Sequence, residues 1–204
     1  ALSTQLSGKG LLREIVGSKP IDSIEEPLAQ NFMDQVQARS VPVSTSVSPS
    51  GSVLTTFAKF EAARSTTKKK EKTPLVLLHG FDSSCLEFRR LAPLLAEEGF
   101  EVHIPDILGW GFNPPQDLNS YGPAAKMEHL TSFVKTVSKG KPVVVAGASL
   151  GGALAITLAA DYPELVSKLI LIDAQGFIDG EGPKELPDAI ARFSVNVLKS
   201  TPLR

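Results

Sequence analysis

The chain has 204 residues, 42% hydrophobic and 21% charged, enough apolar material for one sizeable core and so for one domain with appendages. A formal net charge of −1 leaves no electrostatic footprint for nucleic acid or an anionic membrane surface, and a single cysteine, Cys85, excludes an internal disulfide. Three histidines and one cysteine offer no metal-ligand cluster, so neither metal nor cofactor is expected.

The chain opens at Ala1 rather than Met, so an N-terminal piece is expected to have been removed. Residues 1–20 hold Lys9, Arg13 and Lys19 against Glu14 alone, with several Ser and Thr, and resemble the remnant of an organelle-targeted precursor. A soluble intracellular protein is expected, with a plastid as the candidate compartment. Residues 1–40 read as a loosely attached arm, with one short helix around Leu11, Leu12 and Ile15 and another around Leu28, Phe32, Met33 and Val36. Residues 41–47, the turn Ser48–Pro49–Ser50–Gly51 and residues 52–60 alternate apolar and polar, predicting an antiparallel hairpin at a sheet edge. Residues 62–73, with Lys68–Lys69–Lys70–Glu71–Lys72, read as a solvated basic loop.

From Pro74 strand and helix alternate. Residues 74–78 suit a buried strand, 87–99 an amphipathic helix ended by glycine, and 101–107 a second strand. After a loop rich in glycine and proline, Gly122–Pro123 opens a helix to about residue 139, with Met127, Leu130, Phe133, Val134 and Val137 on one side. Residues 141–146 predict a strand, 150–162 a buried helix and 166–173 a further strand. Such alternation requires an α/β fold, a mostly parallel sheet with right-handed crossovers and helices on both faces.

Gly147–Ala148–Ser149–Leu150–Gly151 fits G-x-S-x-G, in which a sharp strand-to-helix turn lifts a serine hydroxyl clear of the sheet. Gly147 and Gly151 let two backbone segments pass closely, and the following helix points free N–H groups at the serine. Taken alone the pattern fits a glycine-rich bend carrying an incidental serine equally well. Residues 143–160 are uncharged and long enough to raise a membrane helix, but three glycines and a strand-type start argue against an integral membrane span.

His79–Gly80–Phe81–Asp82 directly follows the strand at residues 74–78, and Asp106–Ile107–Leu108–Gly109–Trp110–Gly111 follows the next one. Tyr162–Pro163–Glu164–Leu165–Val166 leads into Leu169–Ile170–Leu171–Ile172–Asp173. In order and spacing, over about residues 41–176, these stretches resemble the α/β-hydrolase family, and within it the lid-bearing serine hydrolases of plants and bacteria rather than proteases. The resemblance implies Ser149 as nucleophile and an oxyanion hole formed by the backbone N–H groups of Phe81 and Leu150, with His79 and Gly80 supporting the turn. It also implies a partial core over residues 41–176 that lacks the last strands, and the start of a lid over 177–204, with a helical stretch at 187–199.

A serine hydroxyl needs a base to take its proton, and the tetrahedral oxyanion needs donors already aimed at it. The family's histidine comes after the nucleophile, and no histidine follows Ser149. His79 belongs to the oxyanion turn, and His103 and His129 read as structural or solvent-facing, so none of the three is expected to be the base. Asp173, ending the last strand, stands where some members carry the catalytic acid. The function expected is a serine hydrolase acting on the ester or similar acyl bond of a small-molecule substrate, with this chain inactive for want of the histidine. The alternative is a non-catalytic relative binding a small apolar ligand or a partner. Dehalogenation or epoxide opening is disfavoured because those members carry aspartate where Ser149 stands. An uncovered last strand further predicts self-association through the open sheet edge.

Overall fold

The computed structural model describes residues 7–63 and 73–175. Its elements are α1 (Gly8–Val16), α2 (Ser18–Asp22), α3 (Pro27–Met33), β1 (Val36–Pro42), β2 (Ser52–Phe60), β3 (Leu75–Leu78), a 3₁₀ turn (Cys85–Phe88), α4 (Leu91–Glu97), β4 (Val102–Pro105), α5 (Pro123–Ser138), β5 (Val143–Ala148), α6 (Leu150–Asp161), a second 3₁₀ turn (Pro163–Leu165) and β6 (Val166–Ile172). The strands form one sheet in the order β1-β2-β4-β3-β5-β6. β2 pairs antiparallel with β1 and β4, while β4, β3, β5 and β6 run parallel. This is the mostly parallel α/β sheet that the alternation of elements requires.

Both faces of the sheet are covered at β3 and β5, which is why these two strands show no polar alternation. Leu75 and Leu77 of β3 enter a cluster with Leu11, Phe32, Met33 and Ala92, so α1 to α4 lie on that face. Val76 and Leu78 point the other way, into a cluster with Phe133, Val145 and Leu154, under α5 and α6.

The N-terminal segment is not a loose arm. Leu11, Leu12, Ile21, Phe32 and Met33 are all buried, and β1 already begins at Val36, opposite Ala58. Each helix is too short to hold itself, so the segment's order comes from the apolar face it packs onto the sheet. The first hairpin strand therefore lies earlier than residues 41–47, and the stretch from Val43 to Gly51 is connection. The helix expected over 87–99 is split into the 3₁₀ turn and α4. Pro93 has no N–H to give the Arg89 carbonyl and its ring would clash there, so a helix containing it must begin within the preceding turn, as α4 does at Leu91. Residues 143–160 divide between β5 and α6, and among the described residues no helix is long and apolar enough to cross a membrane. The first six residues, most of the basic loop and the lid stretch at 177–204 lie outside the described residues.

Candidate active site

The parallel register brings the ends of β3 and β5 together. Leu78 lies opposite Gly147, so His79–Gly80 and Ala148–Ser149 leave the sheet side by side. A Cβ added at Gly80 would stand 3.5 Å from Ser149 Cβ.

Ser149 separates the last residue of β5 from the first of α6, with φ 47° and ψ −116°. An L-residue rarely holds such angles, at a cost of about 1–3 kcal/mol. The residue is exposed. A Cβ at Gly147 would lie 2.2 Å from the Gly151 carbonyl oxygen, and one at Gly151 2.2 Å from that of Leu78, so the bend closes only with hydrogen at both places. The strained backbone is clasped on either side. The Ser149 N–H donates to the Ile172 carbonyl at 3.3 Å, and the Ser149 carbonyl accepts from Gly152 at 2.9 Å, Ala153 at 3.2 Å and Gln175 at 2.9 Å. Leu150 takes the first helical position, where a backbone N–H has no partner inside the helix.

His79 is fully buried and both ring nitrogens are engaged. Nε2 accepts the Ile107 N–H at 3.0 Å, which leaves the proton on Nδ1, 2.9 Å from the Gly80 carbonyl it donates to. The next peptide is planar and trans, so with the Gly80 carbonyl turned toward the ring the Phe81 N–H points away from it. Phe81 itself is 58% exposed, its ring 4.7 Å from that of Trp110.

Asp106 anchors this arrangement from beneath. Its buried carboxylate accepts from Thr56 Oγ1 at 2.5 Å, the Cys85 N–H at 2.7 Å and the Phe112 N–H at 3.0 Å. Burial pushes its pKa above the usual aspartate range, against the pull of these donors. The other histidines serve the core. His103 is buried with Nε2 2.8 Å from Glu101, and His129 is buried with Nε2 2.6 Å from Thr55 Oγ1. Burial lowers both pKa values, that of His129 to about 4, so the solvent-facing option for these two is set aside.

Asp173 is exposed and, with φ 44°, turns the chain between Ile172 and Gln175, the two residues bonded to the Ser149 backbone. Beyond the expected residues, the structure adds Glu87, whose Oε2 accepts the Gly80 N–H at 2.8 Å. No spacing rule singles it out, because the contact joins a loop to a turn seven residues away. Beside it an open cleft of about 580 Å³ is lined by Asp82, Ser83, Ser84, Glu87 and Phe112. Among the described residues no group of three or more His, Cys, Asp or Glu could hold a metal ion.

Known proteins are similar to this chain in sequence and in fold. A family model described as alpha/beta hydrolase fold matches residues 73–199. The alpha/beta hydrolase domain-containing protein VTE7 of Arabidopsis thaliana is 40% identical over 187 residues, covering 91% of this chain and 54% of that protein. Lipase 1 of Psychrobacter immobilis is 34% identical over 127 residues, covering 62% of this chain and 39% of the lipase. Among solved structures, the thioesterase domain from the curacin biosynthetic pathway superposes with a TM-score of 0.60 at 20% identity, over 82% of this chain and 54% of that one, a likeness of fold alone. The chain thus spans about half the length, or less, of the relatives it matches. With the family model covering more than half of the residues, and the sheet order and strand-to-helix turn in place, the chain belongs to the alpha/beta hydrolase fold family.

Proposed function

We propose that this chain carries the nucleophile and the oxyanion donors of a serine hydrolase that cleaves the ester or similar acyl bond of a small-molecule substrate. The observation that carries the reading is Ser149 itself, exposed and held at φ 47° against the His79–Gly80 turn. Lipases among the relatives support ester chemistry. In this reading Ser149 Oγ attacks the acyl carbon, and the oxyanion is received by the Phe81 and Leu150 N–H groups. The orientation imposed by His79 supports the first donor, and the open helix N-terminus supports the second. Gly147 and Gly151 permit the bend, and Gly80 the approach of the turn.

His79, His103 and His129 are all buried, with both ring nitrogens of His79 and the Nε2 of each of the other two hydrogen-bonded elsewhere, so this reading takes its base from sequence outside these 204 residues. Asp173 is its acid, on the ground that the residues on either side of its turn hold the Ser149 backbone. In this reading the elements from α1 to β6 form a partial core. A plastid address is carried only by the composition of residues 1–20 and is tested by the location of a fluorescent fusion.

The test is hydrolysis of p-nitrophenyl esters, with fluorophosphonate labelling of Ser149, by the chain with and without its native C-terminal continuation. Loss of either member of a serine–histidine pair costs about six orders of magnitude, so the 204 residues alone should act barely above background and Ser149→Ala should change little. The extended protein should turn over faster by several orders of magnitude and depend on Ser149. There Asp173→Asn, which keeps shape and tolerates positive φ, should cost about 10⁴-fold, and an unchanged rate removes Asp173 from the mechanism. An extended protein that stays inert while binding an apolar ligand overturns the hydrolase reading in favour of a binding protein.

A further inference from the structure

Glu87 is exposed, yet its carboxylate is turned in toward the nucleophile. Oε2 lies 2.8 Å from the Gly80 nitrogen and 3.5 Å from the point a Gly80 Cβ would occupy, and Ser149 Cβ lies 3.5 Å from that same point. The turn that presents Glu87 is itself fixed. Ser84 Oγ accepts the Leu86 N–H at 3.3 Å, the Glu87 N–H donates to the Ser84 carbonyl at 3.0 Å, and the Cys85 N–H is held by Asp106 at 2.7 Å.

Gly80 is thus gripped twice, its N–H by Glu87 and its carbonyl by His79. Both grips trace to the end of β4, since Asp106 seats the Glu87 turn and the Ile107 N–H fixes the His79 ring. A glycine has no side chain to restrict its own angles, so the direction of the following Phe81 N–H depends on such bonds.

We propose that Glu87 is a positioning residue for the oxyanion turn, its side-chain oxygen locking the Gly80 peptide so that the Phe81 N–H stays aimed at the place where the tetrahedral oxyanion forms. The proposal rests on the serine hydrolase reading above. What the turn uses is an acceptor at that position and not a charge, since a negative charge beside a developing oxyanion repels it. A glutamine, whose Oε1 can accept the same bond, therefore substitutes for the glutamate, and an alanine does not.

Glu87→Gln and Glu87→Ala are compared in the extended protein by ester kinetics, and in the 204-residue chain by exchange of the Gly80 amide proton, read by NMR. A donor that counts only in the transition state lowers kcat and leaves KM, so Glu87→Ala should lose about tenfold or more in kcat at a KM within about twofold, with Glu87→Gln close to the parent. Gly80 exchange should quicken in Glu87→Ala and not in Glu87→Gln. An alanine variant with parental kcat, a glutamine variant as slow as alanine, or Gly80 exchange unmoved by alanine each overturn the proposal. If the parent shows no Ser149-dependent turnover, the hydrolase reading fails, and Gly80 exchange then decides by itself whether Glu87 holds the turn.

Discussion

Gly151→Ala sets two effects of opposite sign against each other at the heart of the elbow. Gly151 lies in the first turn of α6 and is not among the positive-φ residues, so helix propensity alone predicts a gain of about 1 kcal/mol. Its Cβ, however, would stand 2.2 Å from the Leu78 carbonyl oxygen and 2.6 Å from that of His79. Those are backbone atoms at and just past the end of β3, where Leu78 pairs with Gly147 of β5, and they cannot yield as a flexible side chain would. To restore ordinary contact α6 must retreat by about 1 Å. Overpacking of this kind costs about 1–3 kcal/mol, and a clash with backbone belongs at the upper end, so the net expectation is a loss of about 2 kcal/mol. Urea unfolding followed by the fluorescence of Trp110, the single tryptophan, reads this out as a midpoint lower by about 1 M. The same retreat carries Ser149 and the Leu150 N–H away from the His79–Gly80 turn, and a displacement near 1 Å costs about 10²-fold in rate in the extended protein. A midpoint that stays put or rises would show that propensity wins and that the close approach of α6 to β3 is not what the glycine serves.

Two further outcomes follow from the core and from the sheet edge. His129 is buried and its pKa falls to about 4 from 6.5, chiefly through burial, with Lys126 adding repulsion. The unfolded chain then takes up the proton first as pH drops, so this residue's contribution is fully present above about pH 6.5 and is lost toward pH 4, by roughly 3 kcal/mol in all. His129→Gln should flatten that part of the fall in urea midpoint between pH 7 and pH 4.5, and parallel profiles for parent and variant would count against it. Along β6, Leu169, Ile170, Leu171 and Ile172 are 39%, 46%, 48% and 37% exposed on a strand paired only with β5 among the described residues, so the 204-residue chain should self-associate through that edge. Light scattering should show mass rising with concentration and a weaker rise for Ile170→Lys; a monomer at every concentration rejects the expectation.

The stretch from β5 through α6 was legible because its constraints are local. A strand buried on both faces demands apolar residues at every position, and a backbone crossing demands glycine at fixed offsets from the bend, so Val143 to Gly152 announce themselves. The neighbourhood of β3 and β5 could be inferred too, since the His79–Gly80 and Ser149 motifs can meet only if those strands pair. β1 was misplaced for the opposite reason. It is an edge strand whose residues between Val36 and Val41 are half-buried or exposed, so its apolar pattern is faint, while Val47 beyond it is buried in a connection. The N-terminal helices show equally little on their own, because Leu12 and Met33 acquire meaning only through the sheet face they cover. Glu87 lies furthest from any sequence signal. Its importance depends on Asp106, beyond the end of the neighbouring strand β4, fixing the turn that carries it, and an exposed glutamate at the start of an amphipathic stretch looks like every other solvated one.

The strain at Ser149 ties the elbow to the last described strand. An unfavourable φ/ψ pair worth about 1–3 kcal/mol persists only where the surroundings over-determine it, and here four backbone hydrogen bonds close on one residue. Two of them, to Gly152 and Ala153, are the first turn of α6 and would exist in any helix that begins there. The other two reach to Ile172 and Gln175, and a Cβ on Gly152 would stand 2.3 Å from that of Ala174, so the end of β6 is pressed against the elbow as well as bonded to it. The posture of the proposed nucleophile is therefore a property of β5, α6 and β6 together. Whatever pairs with the side of β6 that is open among the described residues, whether further native sequence or a second copy of the chain, bears on the strand whose end holds the serine in place.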